Sequence, residues 1–239
     1  MWVYLYPSGT ETELKNAYIG YWWSPWSNTL AYYPLTSSTT INDQSGKSHN
    51  LTNNNSVTFG TYHWVDCAEF NNYGDTLYNY SASWLPSWKA ALTVSVWVYY
   101  SSVRSGYFEA LFSIWNTNHH AFSAEKESGN NKLSITDYGD SIYTSFTPAT
   151  WQWRNMVFTA EADSNTWKAY INGVEQTTSW AVSNYAWLSG TNFRINGFFW
   201  DNSWLWITGN MSEFIFENKT WNATQVADYY NSTKANYWL

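Results

Sequence analysis

Two kinds of side chain in this 239-residue chain have the chemistry to act on a ligand: closely spaced carboxylates and the indoles of 19 tryptophans. Glycosidic hydrolysis needs two carboxyls roughly 5 to 10 Å apart, a separation that acids two or four apart on one strand face supply. Glu213 with Glu217, Glu125 with Glu127, and Glu161 with Asp163 have that spacing. Glu161 and Asp163 fall in a turn sequence, where solvated acids are ordinary. His119 and His120 are adjacent, and neighbours on a strand face opposite sides, so they do not make a metal pair. Asp43, Asp66, Asp75, Asp137, Asp140 and Asp201 are loop or strand-end acids, the hard oxygen ligands that Ca²⁺ takes, but none lies in a local calcium-loop signature. Serine-nucleophile, cysteine-nucleophile and phosphate-loop motifs are absent. Cys67 is the only cysteine, so no intrachain disulfide is possible and the thiol reads as buried and inert.

Composition narrows the class. Charged residues make up 12% of the chain and aromatics 21%, against a usual charged share of about 25%. The formal net charge is −7, so a basic footprint for nucleic acid is missing and that partner is excluded. No apolar run approaches the ~18 residues of a spanning helix. The first residues, MWVYLYPSGTETELKN, lack the basic and apolar regions of a secretory signal. Seven Asn-x-Ser/Thr sequons, at Asn50, Asn54, Asn79, Asn210, Asn218, Asn222 and Asn231, read as a by-product of a chain rich in Asn, Ser and Thr.

The elements that must position these groups are strands. Trp151 to Val174 reads as two strands, with Asn172-Gly173 reversing the chain into Val174-Glu175-Gln176 through a type I′ turn. Leu92 to Tyr100 alternates Leu92, Val94, Val96 and Val98 against Thr93, Ser95, Trp97 and Tyr99, a central strand with one face in the core. Further strands are expected at Leu30–Leu35, Ala68–Asn71, Phe108–Trp115, Ala121–Glu125, Lys132–Asp137, Asn192–Phe199 and Met211–Phe216, about a dozen in all, as in a sandwich. In the last of these Met211, Glu213 and Ile215 should share a face. Asn42 to Gly46 is a turn cluster in which Asp43 can cap its own backbone two residues on. Asn222 and Gln225 form a capping box, with Trp221 and Val226 as a hydrophobic staple, so a short C-terminal helix follows. The tail from Asn236 to Leu239 should be packed. Trp2 to Tyr6 is an uncharged strand signature, followed by a capping box at Thr10–Glu13.

The run Trp153, Met156, Val157, Phe158, Thr159, Trp167, Tyr170, Ile171, Asn172 and Gly173 resembles the core motif of laminin-G-like domains. With the features around it in order, Leu30 to Tyr230 is similar to the concanavalin A-like jelly-roll sandwiches of the lectin and glucanase superfamily. The resemblance implies an all-β, two-sheet antiparallel jelly roll with a short C-terminal helix, spanning residues 29–239 behind an N-terminal extension of residues 1–28. It also implies calcium as the metal, with motif placement supporting Asp43 alone. The E-x-D-x-x-E strand of the glucanase branch is absent, so the chain is expected not to be an enzyme.

Carbohydrate binding is the activity such a fold implies, through aromatic rings stacked on sugar faces. The loop-proximal candidates are Trp84, Trp88, Trp187, Trp200 and Trp204. The extension, through Trp2, Tyr4 and Tyr6, is expected to pair with another subunit by β-augmentation. Together these give a non-enzymatic surface protein, a capsid-decoration or tail-associated virion component with glycan adhesion. Its partners would be copies of itself, other virion subunits and cell-surface glycans, and its place a virion or extracellular surface. The alternative is a stand-alone lectin-like module.

Overall fold

The computed structural model describes residues 28–72, 74–88, 90–115, 122–137, 140–178, 188–189, 191–197 and 205–239. Within them the chain forms β1 (Thr29–Tyr33), β2 (Thr52–Asn54), β3 (Thr58–Tyr62), β4 (Val65–Phe70), β5 (Thr76–Asn79), β6 (Ser87–Trp88), β7 (Leu92–Ser102), β8 (Glu109–Trp115), β9 (Phe122–Lys126), β10 (Leu133–Asp137), β11 (Asp140–Tyr143), β12 (Trp153–Ala160), β13 (Trp167–Ile171), β14 (Val174–Glu175), β15 (Leu188–Ser189), β16 (Asn192–Ile195) and β17 (Thr208–Glu217). One sheet of eight strands runs β14-β13-β12-β7-β17-β4-β3, with β1 also paired to β17, and a second of seven runs β11-β10-β9-β8-β16-β5-β2. β15 and β6 pair separately. The strand pairings of both sheets are antiparallel.

The two sheets face each other across one apolar layer. Val94, Val96, Val98, Phe158, Phe214 and Phe216 of the larger sheet meet Phe112, Ile114, Phe122, Phe193 and Ile195 of the smaller. Ring pairs cross between the sheets, Phe112 with Phe158 at 5.7 Å and Phe193 with Phe214 at 5.5 Å. The all-β, two-sheet antiparallel sandwich expected from the sequence is the fold observed.

The hairpin read around Asn172-Gly173 forms as expected. Both turn residues have positive φ, 51° and 79°, and Ile171 pairs with Val174 across β13 and β14. At the other side of β7, Gly209 of β17 pairs with Tyr100 just past a register shift, and a β-carbon there would run into the Tyr99 carbonyl. Only glycine allows this close approach.

Strand β17 departs from simple alternation. Glu213 takes a left-handed backbone, φ 54°, and the pairing with β7 shifts register between Ser212 and Ile215. This bulge places an extra residue in β17, so Met211 shares the core face with Phe214 and Phe216, not with Glu213 and Ile215 as alternation predicts. Short polar and apolar runs carry no mark of an inserted residue.

The outer face of the larger sheet is covered by a helix, α1 (Ala223–Thr233). Its capping box forms, with Gln225 N donating to Asn222 Oδ1 at 2.9 Å and Asn222 N to Gln225 Oε1 at 3.0 Å. Trp221, Val226 and Tyr229 pack on Val157, Tyr170 and Ile215. A 3₁₀ turn at Lys234–Tyr237 follows, and Tyr237 stacks flat on Trp97, 3.7 Å between centroids and 7° between planes. Both faces of β7 are therefore buried. The expectation of a packed tail holds for Tyr237 and fails for Trp238 and Leu239, which are exposed.

Candidate functional site

Three exposed tryptophans stand among the described residues: Trp64 (81%), Trp151 (66%) and Trp238 (74%). Each has a left-handed backbone, with φ of 65°, 70° and 59°. His63 (φ 48°) and Trp64 fill the two central positions between paired Tyr62 and Val65, where a tight hairpin favours Asn-Gly. Trp151 precedes β12, its N–H donating to Tyr100 O at 3.1 Å. A left-handed backbone costs a bulky L-residue roughly 1–2 kcal/mol. Such strain persists only where the surroundings over-determine it, and it concentrates at binding sites.

Tyr99 on β7 is the floor that joins these turns. Around its ring lie Tyr62 at 4.8 Å, His63 at 5.4 Å, Trp153 at 5.6 Å and Trp151, edge-on, at 6.4 Å. The Tyr99 hydroxyl is 3.3 Å from His63 Nε2. Burial, with the neighbouring Tyr62 hydroxyl, pushes the Tyr99 phenol up to about 12, so it stays uncharged and able to hydrogen-bond. The cluster continues through Trp153 to Tyr237 at 5.4 Å. Broad apolar ring faces beside phenol and imidazole groups suit a ligand with C–H faces and hydroxyl edges.

Of the stacking residues expected from the sequence, Trp187, Trp200 and Trp204 lie outside the described residues, as do Trp2, Tyr4 and Tyr6. Trp88 belongs to the separate β6–β15 pair. Trp84 spends its ring on packing. It stacks on His49 at 4.4 Å and 9°, and meets Phe193 and Phe216 edge-on. Trp64 and Trp151 were not among those candidates. The pairing of His63 with Trp64 inside an otherwise unbroken strand-like run, Thr58 to Phe70, gives no turn signal by residue type.

Asp43 is buried and organises its own loop. Its Oδ1 accepts Tyr32 N and Ser45 N, at 3.0 and 2.8 Å, and its Oδ2 accepts Ser45 Oγ and His49 N, at 2.8 and 3.1 Å. The cap two residues on is thus as read, with Gly46 at φ 84°. Four donors occupy the carboxylate, so Asp43 does not fit a calcium ligand. Among the described residues no group of three or more His, Cys, Asp or Glu could hold a metal ion.

Two of the three acid pairs are likewise engaged, while Glu161 and Asp163 are exposed in their turn. Glu217 accepts Thr29 Oγ1 at 3.0 Å and Trp221 Nε1 at 2.5 Å. Glu127 accepts Gly129 N, and Glu125 accepts Thr136 Oγ1 at 3.0 Å. Glu213 accepts the Tyr237 hydroxyl at 3.2 Å beneath the C-terminal segment. Burial pushes the carboxyls of Glu125 and Glu213 up to about 7; hydrogen bonds from Tyr237 and Tyr229 oppose that at Glu213, as does one from Thr136 at Glu125. Lys126, fully buried, donates to Arg104 O and Tyr107 O at 2.7 and 2.6 Å and lies 3.8 Å from Glu109. The two hydrogen bonds to backbone carbonyls fasten the 103–108 loop. Asn210, one of the sequons, is buried with its Nδ2 on Cys67 Sγ at 3.4 Å, which closes it to glycosylation.

No protein-family model matches the sequence, and no curated protein sequence matches it. Solved structures do match by fold. Domain 4 of AbnA, a GH43 extracellular arabinanase from Geobacillus stearothermophilus in complex with arabinotriose, superposes with a TM-score of 0.64 at 19% identity, over 84% of this chain and 97% of that one. The binding domain of Paraclostridial Mosquitocidal Protein 1 gives 0.69 at 15% identity, over 87% and 53%. A botulinum neurotoxin type C structure, from work on cell entry dependent on two ganglioside molecules, gives 0.65 at 14%, over 87% and 52%. The chain spans about half the length of these two toxin chains. At such identities the likeness is one of fold.

The raised Glu213 carboxyl makes a prediction for stability. A carboxyl whose folded value lies above its unfolded one holds its proton more tightly in the folded protein. It therefore contributes stability at acid pH that is lost as pH rises through about 7. Between pH 5 and pH 8 the unfolding free energy should fall, by up to ~3 kcal/mol from this group. Glu213→Gln should flatten that fall in urea titrations at each pH, leaving the share due to Glu125.

Proposed function

We propose that this sandwich is a non-enzymatic glycan-binding module that receives neutral sugars on the aromatic face formed by Trp64, Trp151, Tyr62, His63 and Tyr99. The observation that carries the reading is the exposed Trp151 indole standing edge-on to the uncharged Tyr99 phenol, beside a turn whose His63 ring also meets Tyr99 and whose Trp64 is exposed on left-handed backbone. Large exposed apolar patches on a soluble domain serve as interaction sites. Sugar rings match flat aromatic faces and use neutral hydroxyls for direction. A net charge of −7 disfavours anionic glycans at long range. The arabinotriose bound in the AbnA domain, a close match in fold, supports the same ligand class.

The display of this module on a virion or another surface is a second part of the proposal, supported by the uncharged Trp2–Tyr6 run. An apolar strand of that kind is a template for pairing with a neighbouring subunit.

Glycan-array binding followed by titration tests the first part. Trp64→Ala and Trp151→Ala should each weaken the best array ligand about tenfold, the loss of one stacking contact, with unchanged circular dichroism. Binding indifferent to both changes would remove this face from the function. Deleting residues 1–28 should leave a folded sandwich that no longer assembles, read as a drop in mass by light scattering; a truncated chain that assembles normally would contradict the anchoring role.

A further inference from the structure

We infer that the chain modifies itself: the Lys126 amine condenses with the Asn131 side-chain carboxamide, with Glu109 carrying the protons, to form an isopeptide bond between β9 and the turn that follows it. The inference stands apart from the glycan-binding reading. Lys126 is the last residue of β9 and pairs across the sheet with Glu109, the first of β8. Both side chains are fully buried, and Lys126 Nζ stands 3.8 Å from Glu109 Oε2, an oxygen that accepts no hydrogen bond among the described residues. The same Nζ donates to Asn131 Oδ1 at 3.3 Å. Asn131 has a left-handed backbone, φ 57°, in a turn closed by Asn131 N donating to Glu127 O at 3.1 Å and Glu127 N to Lys132 O at 2.9 Å. That turn holds the carboxamide against the amine. Arg104 completes the cluster: its backbone N–H and Nε donate to Glu109 Oε1 at 3.0 and 3.2 Å, and its guanidinium lies over the rings of Trp206 and Tyr107 at 4.2 and 5.3 Å.

An amine, a carboxamide and a carboxyl in mutual contact away from water are the parts of an amide-exchange reaction. Burial lowers the Lys126 amine from its ordinary range and raises the Glu109 carboxyl, while their attraction for each other opposes both shifts. Moving one proton from Nζ to Glu109 Oε2 removes both charges from the dry site and leaves the amine with a free lone pair. The amine then attacks Asn131 Cγ, the carbon bonded to the oxygen that Nζ already contacts. As the Nζ–Cγ bond forms, Glu109 gives its proton to Nδ2 and takes one from Nζ. The Cγ–Nδ2 bond breaks, ammonia leaves, and Nζ keeps one hydrogen as a neutral amide. The proton left on Glu109 passes to the departing ammonia. No oxidant or further reactant enters. Holding the groups in contact supplies the rate gain of an intramolecular reaction. The amide N–H still serves one of the two carbonyls, Arg104 O and Tyr107 O, that Nζ now contacts. A chain with one cysteine thereby gains a covalent tie that a disulfide cannot give it.

Intact-mass spectrometry of the full chain, folded and then denatured, is the test. The principal species should be lighter than the expressed sequence by one ammonia. Trypsin should then fail to cut after Lys126, and a glutamate-specific protease cutting after Glu127 should leave the two halves of the 126–131 loop joined as a branched peptide. Asn131→Gly, which suits the left-handed backbone, should restore the full mass with unchanged circular dichroism, and so should Glu109→Gln. A parent chain of unmodified mass would overturn the inference. So would an ammonia loss that leaves Lys126 open to trypsin, because a succinimide at an asparagine gives the same mass without the branch. Ammonia loss undiminished in Asn131→Gly would overturn the choice of partner, and loss undiminished in Glu109→Gln would overturn the proton-carrying role. The branched peptide is sought in the parent chain, so a variant that fails to fold does not remove the test.

Discussion

The stack of Tyr237 on Trp97, 3.7 Å apart and nearly parallel, fixes how much of the outer face of the larger sheet the C-terminal segment covers. Strand β7 is central and apolar on one side, but its other side carries the large rings of Trp97 and Tyr99, which need cover of their own. A buried aromatic pair contributes about 0.5–1.5 kcal/mol beyond its area, and this one docks the C-terminal segment over Trp97. The cover formed by α1 and the 3₁₀ turn ends there. One pleat further along β7 stands Tyr99, and the rings around it come not from the helix but from Tyr62 and His63 at one turn and Trp151 before β12. The proposed binding face lies where the sheet's own cover stops.

Backbone and electrostatics favour the same arrangement. Left-handed residues at Trp64, Trp151 and Trp238 hold indoles outward at an energetic cost of roughly 1–2 kcal/mol each, which a fold organised only for stability would shed. The left-handed Glu213 does the opposite task, turning a carboxyl inward beneath α1, where it meets Tyr237. The same tyrosine touches Trp97, Trp153 and Glu213. The ionisation of one buried acid and the floor of the aromatic face thus share a side chain.

Much of this fold is legible in residue pattern. Alternation in Leu92 to Tyr100, the Asn172-Gly173 turn, the Asp43 loop cap and the Asn222–Gln225 box all act locally, so each is written in a few adjacent residues. The bulge at Glu213 is not, because it lies in the register between strands far apart in sequence, the shift of β17 on β7, with Glu213 N donating to Pro34 O just past β1. The proposed binding face is hidden for a related reason. Aromatic residues have high strand propensity, so Trp151 reads as strand and His63-Trp64 give no turn signal, and among 19 tryptophans nothing in type or spacing separates an exposed indole from a core one. Trp84 shows the reverse error: loop-proximal in sequence, it is wedged between His49, Phe193 and Phe216. Exposure is set by which strands lie side by side, a non-local property.

The most direct test follows the indole N–H resonances of nitrogen-15-labelled protein during titration with a neutral oligosaccharide. The account predicts that the signals of Trp64 and Trp151 move first and furthest, while those of Trp97 and Trp221, buried under the C-terminal segment, stay in place. Shifts confined to Trp84 or Trp115, with Trp64 and Trp151 unmoved, would contradict it.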